Sequence, residues 1–227
     1  MAKSFIADRK EAGLLLAEKL LDYKNKNALV LAIPRGGVPV GAEIAKHLNL
    51  ALDLVMAKKI PHPMNTEFAI GSVAADVVLL DPIKDIPRHY IESTTEKLKQ
   101  EMGERYTSLT GKTKVPSVKN KTIILVDDGI ATGNTLLAAA SMLRRKGAQQ
   151  IVVAIPVLPF DRIKKMESKV DELIYLQSPG YFPGVGAFYR NFDQVSDEDV
   201  KRLLKENNKF VESESNELEW MNDYFLL

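Results

Sequence analysis

Residues 124–135 read ILVDDGIATGNT: two adjacent carboxylates, Asp127 and Asp128, followed by a turn built from Gly129, Ala131, Thr132, Gly133, Asn134 and Thr135. An apolar run enters the acids and a helical pattern leaves the turn. A tight strand-to-helix turn of small and hydroxyl residues aims backbone N–H groups at one point, and such a point prefers a phosphate. The hydroxyls of Thr132 and Thr135 add donors. Two carboxylates beside an anion site are unfavourable unless hydroxyl groups or a divalent cation intervene. A sugar phosphate meets both demands, with its phosphate in the turn and its diol on the acids. Mg²⁺ can then bridge any further phosphates, through ribose hydroxyls or water on Asp127 and Asp128.

Competing motifs do not fit these residues. A phosphate loop of the Gly-Lys-Ser/Thr type needs a lysine after the glycine, and Asn134 follows Gly133. No G-x-G-x-x-G follows a strand pattern. An aspartyl nucleophile of the Asp-x-Asp kind is excluded because the two acids are adjacent and fall on opposite sides of the backbone. A plain helix cap needs one acid, not two. A second segment, AIPRGGVPV at residues 32–40, ends another apolar run. Arg35 is a fixed positive charge there, and Gly36 and Gly37 let the backbone approach a ligand closely.

The elements that must hold these segments show in the hydropathy pattern. Continuous apolar runs predict buried strands at residues 28–33, 52–57, 122–126, 151–157 and 172–176. Helical spacing predicts helices over 38–48, 134–146, 161–169 and 87–109. Alternation of such strands with helices predicts an α/β fold, a parallel sheet with helices on both faces. Residues 58–71 carry two prolines and an asparagine and read as a long loop, residues 68–80 as a hairpin, and residues 111–120 as a polar linker. The expected organisation is one domain over 1–207. It includes a flexible loop and hairpin at 58–80, a helical insertion at 85–120 and a small hood at 177–195. An acidic-aromatic tail follows at 208–227.

Composition narrows the function. The chain has 227 residues, 31 basic and 30 acidic, for a net charge of +1. A nucleic-acid binder is expected to show a basic excess, and none is present. With no cysteine, thiol nucleophiles and disulfides are excluded. The longest apolar run, residues 151–160, is about half of a membrane span, so a cytoplasmic protein without membrane contact is expected.

VDDGIATGNT resembles the 5-phosphoribosyl 1-pyrophosphate (PRPP) binding motif of type I phosphoribosyltransferases. The resemblance implies that Asp127 and Asp128 hold the ribose hydroxyls while Ala131, Thr132, Gly133, Asn134 and Thr135 cradle the 5-phosphate. It implies that Arg35, Gly36 and Gly37 bind pyrophosphate, and that Lys58, Lys59 and Glu67 belong to a mobile loop that closes over the reacting centre. Residues 171–193 are similar to the base-covering region of the purine enzymes, which points to Tyr181 or Phe182 as the stacking aromatic and to Arg190 or Asp193 as reaching pyrophosphate or its metal. Hypoxanthine-guanine enzymes carry an aspartate for the purine proton where this chain has Ala131, as in adenine enzymes. The implied reaction moves the phosphoribosyl group of PRPP to a nucleobase-like acceptor, releasing pyrophosphate with Mg²⁺. Family members are often dimers, so a homodimer is expected by analogy. Two other readings share the same residues: a non-catalytic PRPP- or nucleotide-binding regulator, and a sugar-phosphate hydrolase.

Overall fold

The computed structural model describes residues 5–82 and 85–209. In chain order the elements are α1 (Arg9–Lys19), β1 (Ala28–Ala32), α2 (Gly37–Leu48), β2 (Ala51–Leu54), β3 (Lys58–His62), β4 (Asn65–Ala74), β5 (Val77–Leu80), α3 (Arg88–Thr110), β6 (Thr122–Val126), α4 (Asn134–Arg145), β7 (Gln150–Val157), α5 (Ile163–Glu167) and β8 (Glu172–Gln177). A last helix, α6, covers 197–209. The expected tail lies, beyond Lys209, outside the described residues. No described helix is long and apolar enough to cross a membrane.

Strands β2-β1-β6-β7-β8 form one sheet, and every pairing in it is parallel. The apolar runs are continuous because both faces are covered. On one face Val30, Ala32, Ile124 and Val152 pack under α1, α2 and α6 through Leu16, Ile44, Leu48, Val200 and Leu204. On the other, Leu31, Leu125, Ile151 and Val153 pack under α4 and α5 through Leu136, Leu143 and Met166. The predicted α/β fold with helices on both faces is therefore observed.

The long loop expected over 58–71 is instead the start of a second sheet. Strands β3-β4-β5 pair antiparallel, and the hairpin expected at 68–80 is its second half. The prolines hid it. Pro61 brings no N–H to the ladder, and the β3–β4 register shifts on both sides of it, the irregularity at which a proline is tolerated. Ile60, Ile70 and Val73 then bury themselves against Met102 of α3. Helix α1 was not expected from the pattern at all. Its buried side is Ala12, Gly13, Leu16 and Ala17, while Leu14 and Leu15 face solvent, so the stripe of large apolar residues is weak. Its N-terminal signal is nevertheless written in the chain. Asp8 accepts the Glu11 N–H at 2.9 Å, and the Glu11 carboxylate returns to the Ala7 N–H, a reciprocal cap.

Among the described residues two side chains bond the outer edge of β2. Asp53 Oδ1 accepts the Leu54 N–H at 2.7 Å. Buried Asn207 of α6 accepts the Leu52 N–H at 2.8 Å and donates to the Leu50 carbonyl at 3.4 Å. Asn207→Ala leaves a buried N–H unpaired, at a cost of about 1–3 kcal/mol. For a chain of this size that is a fall of about 2–12 °C in the thermal midpoint. A melt followed by circular dichroism checks it, and an unchanged midpoint refutes the edge-closing role.

Candidate functional site

The chain leaves β1 and β6, neighbours in the sheet, in opposite directions. β1 leads through α2 to β2 on one side, and β6 through α4 to β7 on the other. Such a reversal opens a crevice outside the carboxyl ends of the two strands, where ligands of open α/β sheets bind. Both sequence motifs end there. Residues 33–36 follow β1 and residues 127–133 follow β6. Gly133 takes the left-handed conformation at φ +75° and opens α4, whose first-turn N–H groups have no intrahelical acceptor.

The two loops touch. A Cβ on Gly36 would lie 2.0 Å from Asp128 Oδ2, and one on Gly37 would lie 2.8 Å from the Val126 carbonyl oxygen. Asp127 Oδ1 accepts the Asp128 N–H at 2.8 Å. Arg9, at the start of α1, donates from Nε and Nη2 to Asp128 Oδ2 at 2.9 and 2.7 Å. Its Nη1 donates to the Asp193 carbonyl at 2.8 Å, and the guanidinium lies 3.8 Å from the Phe192 ring centroid. The Tyr189 hydroxyl donates to the Asp128 carbonyl at 2.7 Å. Arg9, Arg35, Gly36, Asp128 and residues 192–195 line a cavity of about 400 Å³. A larger cavity of about 510 Å³ between α3, α4 and residues 113–118 is mainly apolar and holds none of the expected site residues.

The acids are electrostatically unequal. Burial, and then the neighbouring Asp128 charge, push the Asp127 carboxyl well above the ordinary carboxylate range. Burial also raises Asp128, but the Arg9 guanidinium opposes the rise. A raised folded-state value means that the contribution of Asp127 to stability is full in acid, below the unfolded value. It is lost as pH rises through the folded one. Asp127→Asn keeps an acceptor for the Asp128 N–H and removes that loss. The variant is expected to melt above the wild type at about pH 8 and to converge with it near pH 4. A wild type that melts higher at both pH values refutes the charge argument.

Residues 7–179 match the model of the phosphoribosyl transferase domain. The chain belongs to the phosphoribosyl transferase domain family. It is 35% identical over 203 residues to the Mycobacterium tuberculosis protein Rv0571c, provisionally named a phosphoribosyl transferase, in an alignment covering 87% of this chain and 46% of that protein. The chain thus spans about half the length of this curated relative and of its counterpart in a second strain. The crystal structure of TT1426 from Thermus thermophilus superposes with a TM-score of 0.75 at 35% identity, covering 89% of this chain and 99% of that one. A hypoxanthine-guanine phosphoribosyltransferase of Lactococcus lactis is 28% identical over 165 residues, covering 73% of this chain and 69% of that protein.

Within this phosphoribosyl transferase domain the expected site residues fall into two groups. Asp127, Asp128, Arg35, Gly36 and Gly37 come together at the crevice, with Ala131, Thr132, Gly133 and Thr135 in the adjoining turn and first helical residues. Asp193 joins them through its main chain and as part of the cavity wall. The others stand apart. Lys58 pairs with Glu101 of α3 at 2.5 Å, and neither Lys58 nor Lys59 lines the cavity, because β3 directs them along the second sheet. Glu67 falls in β4 rather than in a loop. The Asn134 side chain turns away, donating to both oxygens of Asp81 at 3.1 Å and accepting from Lys165 at 2.8 Å, so only its main chain remains at the turn. Phe182 stacks on Phe188, with centroids 5.4 Å apart, and Tyr181 is 78% exposed. Arg190 is exposed and does not line the cavity; its N–H donates to the Ile6 carbonyl.

Sequence reasoning did not reach Arg9, Phe192 or Asp197. Arg9 and Asp128 are 119 positions apart, and only the reciprocal cap at Asp8 and Glu11 marks the helix that presents the arginine. Asp197 of α6 takes both terminal nitrogens of Arg105 and lies 3.5 Å from Arg35 Nη1. Arg35 is thereby tethered at the mouth of the crevice.

Proposed function

We propose that this chain transfers the phosphoribosyl group of PRPP to a nitrogenous base with release of pyrophosphate. The observation that carries the reading is the meeting of two loops at one crevice: an acid pair that ends β6 and precedes a left-handed glycine at a helix start, packed against the arginine-glycine loop that ends β1. Asp127 and Asp128 take the ribose hydroxyls. The N–H groups of residues 131–135 take the 5-phosphate, and Arg35 with the Gly36–Gly37 backbone takes the pyrophosphate. The protein supplies position and charge for displacement at the anomeric carbon.

The donor set fits Mg²⁺ held largely by substrate. No group of three or more described acidic, histidine or cysteine side chains stands ready for a metal. Mg²⁺ commonly binds through one or two carboxylates plus waters and substrate phosphates. Asp127 and Asp128 would hold it through ribose hydroxyls or water, Asp193 would reach it or the pyrophosphate from the cavity wall, and it would neutralise the leaving pyrophosphate.

One observation favours the non-catalytic regulator as a second reading: Lys58, expected to act over the reacting centre, is paired with Glu101. Two measurements decide. PRPP with Mg²⁺ at about 100 times its dissociation constant should raise the thermal midpoint by about 5–10 °C. Pyrophosphate release is then followed against purines, including hypoxanthine and guanine, and against uracil. Stabilisation without pyrophosphate release from any base supports the regulator, release of inorganic phosphate supports a hydrolase, and no stabilisation overturns PRPP binding.

A further inference from the structure

We propose that Arg9 is a positioning residue that fixes Asp128 by one oxygen so that the other is presented to a pentose hydroxyl. The inference rests on the role given to Asp128 above. Both Arg9 donors fall on Oδ2, leaving Oδ1 outside the pair. The arginine itself cannot wander. Its third nitrogen is on the Asp193 carbonyl, its plane lies on Phe192, and its side chain is only 12% exposed. The backbone before it is bonded to the segment over the crevice. The Ile6 N–H donates to the Phe188 carbonyl at 3.0 Å, the Arg190 N–H to Ile6 at 2.8 Å, and the Asn191 N–H to Ala7 at 2.9 Å.

Three pieces of chain far apart in sequence thus converge on one carboxylate. The N-terminal segment provides the guanidinium, residues 188–193 hold that segment and the guanidinium, and the β6 turn provides Asp128. A carboxylate next to a like charge and out of water rotates toward solvent unless something holds it, and a planar guanidinium contacting it through two nitrogens does so better than a point charge. Arg9 also offsets one of the two negative charges at a cavity meant for an anionic ligand, and it shares that cavity with Arg35.

A plug that substrate must displace would make the same apo contacts, and it predicts the opposite sign. Displacement would break two bonds to Asp128, one to Asp193 and the contact with Phe192, so removing a plug tightens binding. Removing a positioning residue weakens it.

The test is calorimetric titration of PRPP with Mg²⁺ into wild type, Arg9→Gln, Arg9→Lys and Arg9→Ala, with circular dichroism on each. Arg9→Gln is expected to weaken PRPP binding about 10- to 100-fold. Arg9→Lys, which keeps the charge but not the fork, should fall between. Guanidinium ion at a non-denaturing concentration should restore part of the affinity lost in Arg9→Ala, which no general loosening of the fold would do. Should Arg9→Gln prove unfolded, Arg9→Lys carries the comparison, and wild-type affinity there overturns the proposal. PRPP binding by the wild type with equal or tighter binding by Arg9→Gln overturns this inference alone. No binding by the wild type overturns the proposed function and this inference together.

Discussion

Asp128→Asn is expected to lower PRPP-dependent pyrophosphate release by about 100- to 1000-fold, the range seen when one preorganised polar group is removed from a reacting centre. The amide has nearly the shape of the carboxylate, so packing against Gly36 is retained. It loses the charge that pairs with Arg9, and one of its two polar atoms becomes a donor facing donors. A ribose hydroxyl then meets an ill-defined acceptor in place of a fixed anion. The fold should survive, because the Arg9 guanidinium keeps the Asp193 carbonyl and the Phe192 ring as partners. The contrast with Asp127→Asn is informative. There the substitution relieves the more strongly perturbed carboxyl and is expected to stabilise. Turnover in Asp128→Asn at the wild-type rate would remove the acid pair from the mechanism.

The parts of this site that sequence displays are the local ones. ILVDDGIATGNT is a strand, an acid pair and a helix start within a dozen residues, and each property is fixed by neighbours in the chain. The central strands were legible for the same reason, since burial on both faces demands an unbroken apolar run. What escaped depends on contacts between distant segments. The pairing of Lys58–His62 with Asn65–Ala74 accommodates its proline at a register shift and is buried by Met102 of α3, which packs with Ile60 and Ile70. Lys58 and Lys59 look like loop cations in sequence, whereas the β3 ladder and Glu101 place them on the second sheet. Asn134 reads as part of the phosphate turn, yet its amide is claimed by Asp81 and Lys165 on the far side of α4. Arg9 belongs to no local motif, and it reaches Asp128 because α1 packs on α2 and because the N-terminal segment pairs with residues 188–191.

The adjacent glycines of the β1 loop should separate function from stability. Gly36 has φ −60° and ψ −36°, a conformation open to any residue, so backbone strain does not enter. What forbids a side chain there is Asp128, whose Oδ2 and Cγ lie 2.0 and 2.5 Å from the position of an added Cβ. Gly36→Ala must therefore swing the carboxylate off Arg9, and PRPP binding is expected to weaken about 100-fold with a small change in melting. Gly37 meets backbone instead: the Val126 carbonyl oxygen at 2.8 Å and Asp127 Cα at 2.9 Å. A strand cannot rotate out of the way, so Gly37→Ala lifts the start of α2 from β6. The overpacking costs about 1–3 kcal/mol, a fall of about 2–12 °C in the midpoint. A double-mutant cycle decides whether Gly36 acts through the acid. In an Asp128→Ala background the added methyl has room, so Gly36→Ala should weaken PRPP binding no further. A full additional loss in that background would show that the glycine serves the ligand directly, and that its closeness to Asp128 is incidental.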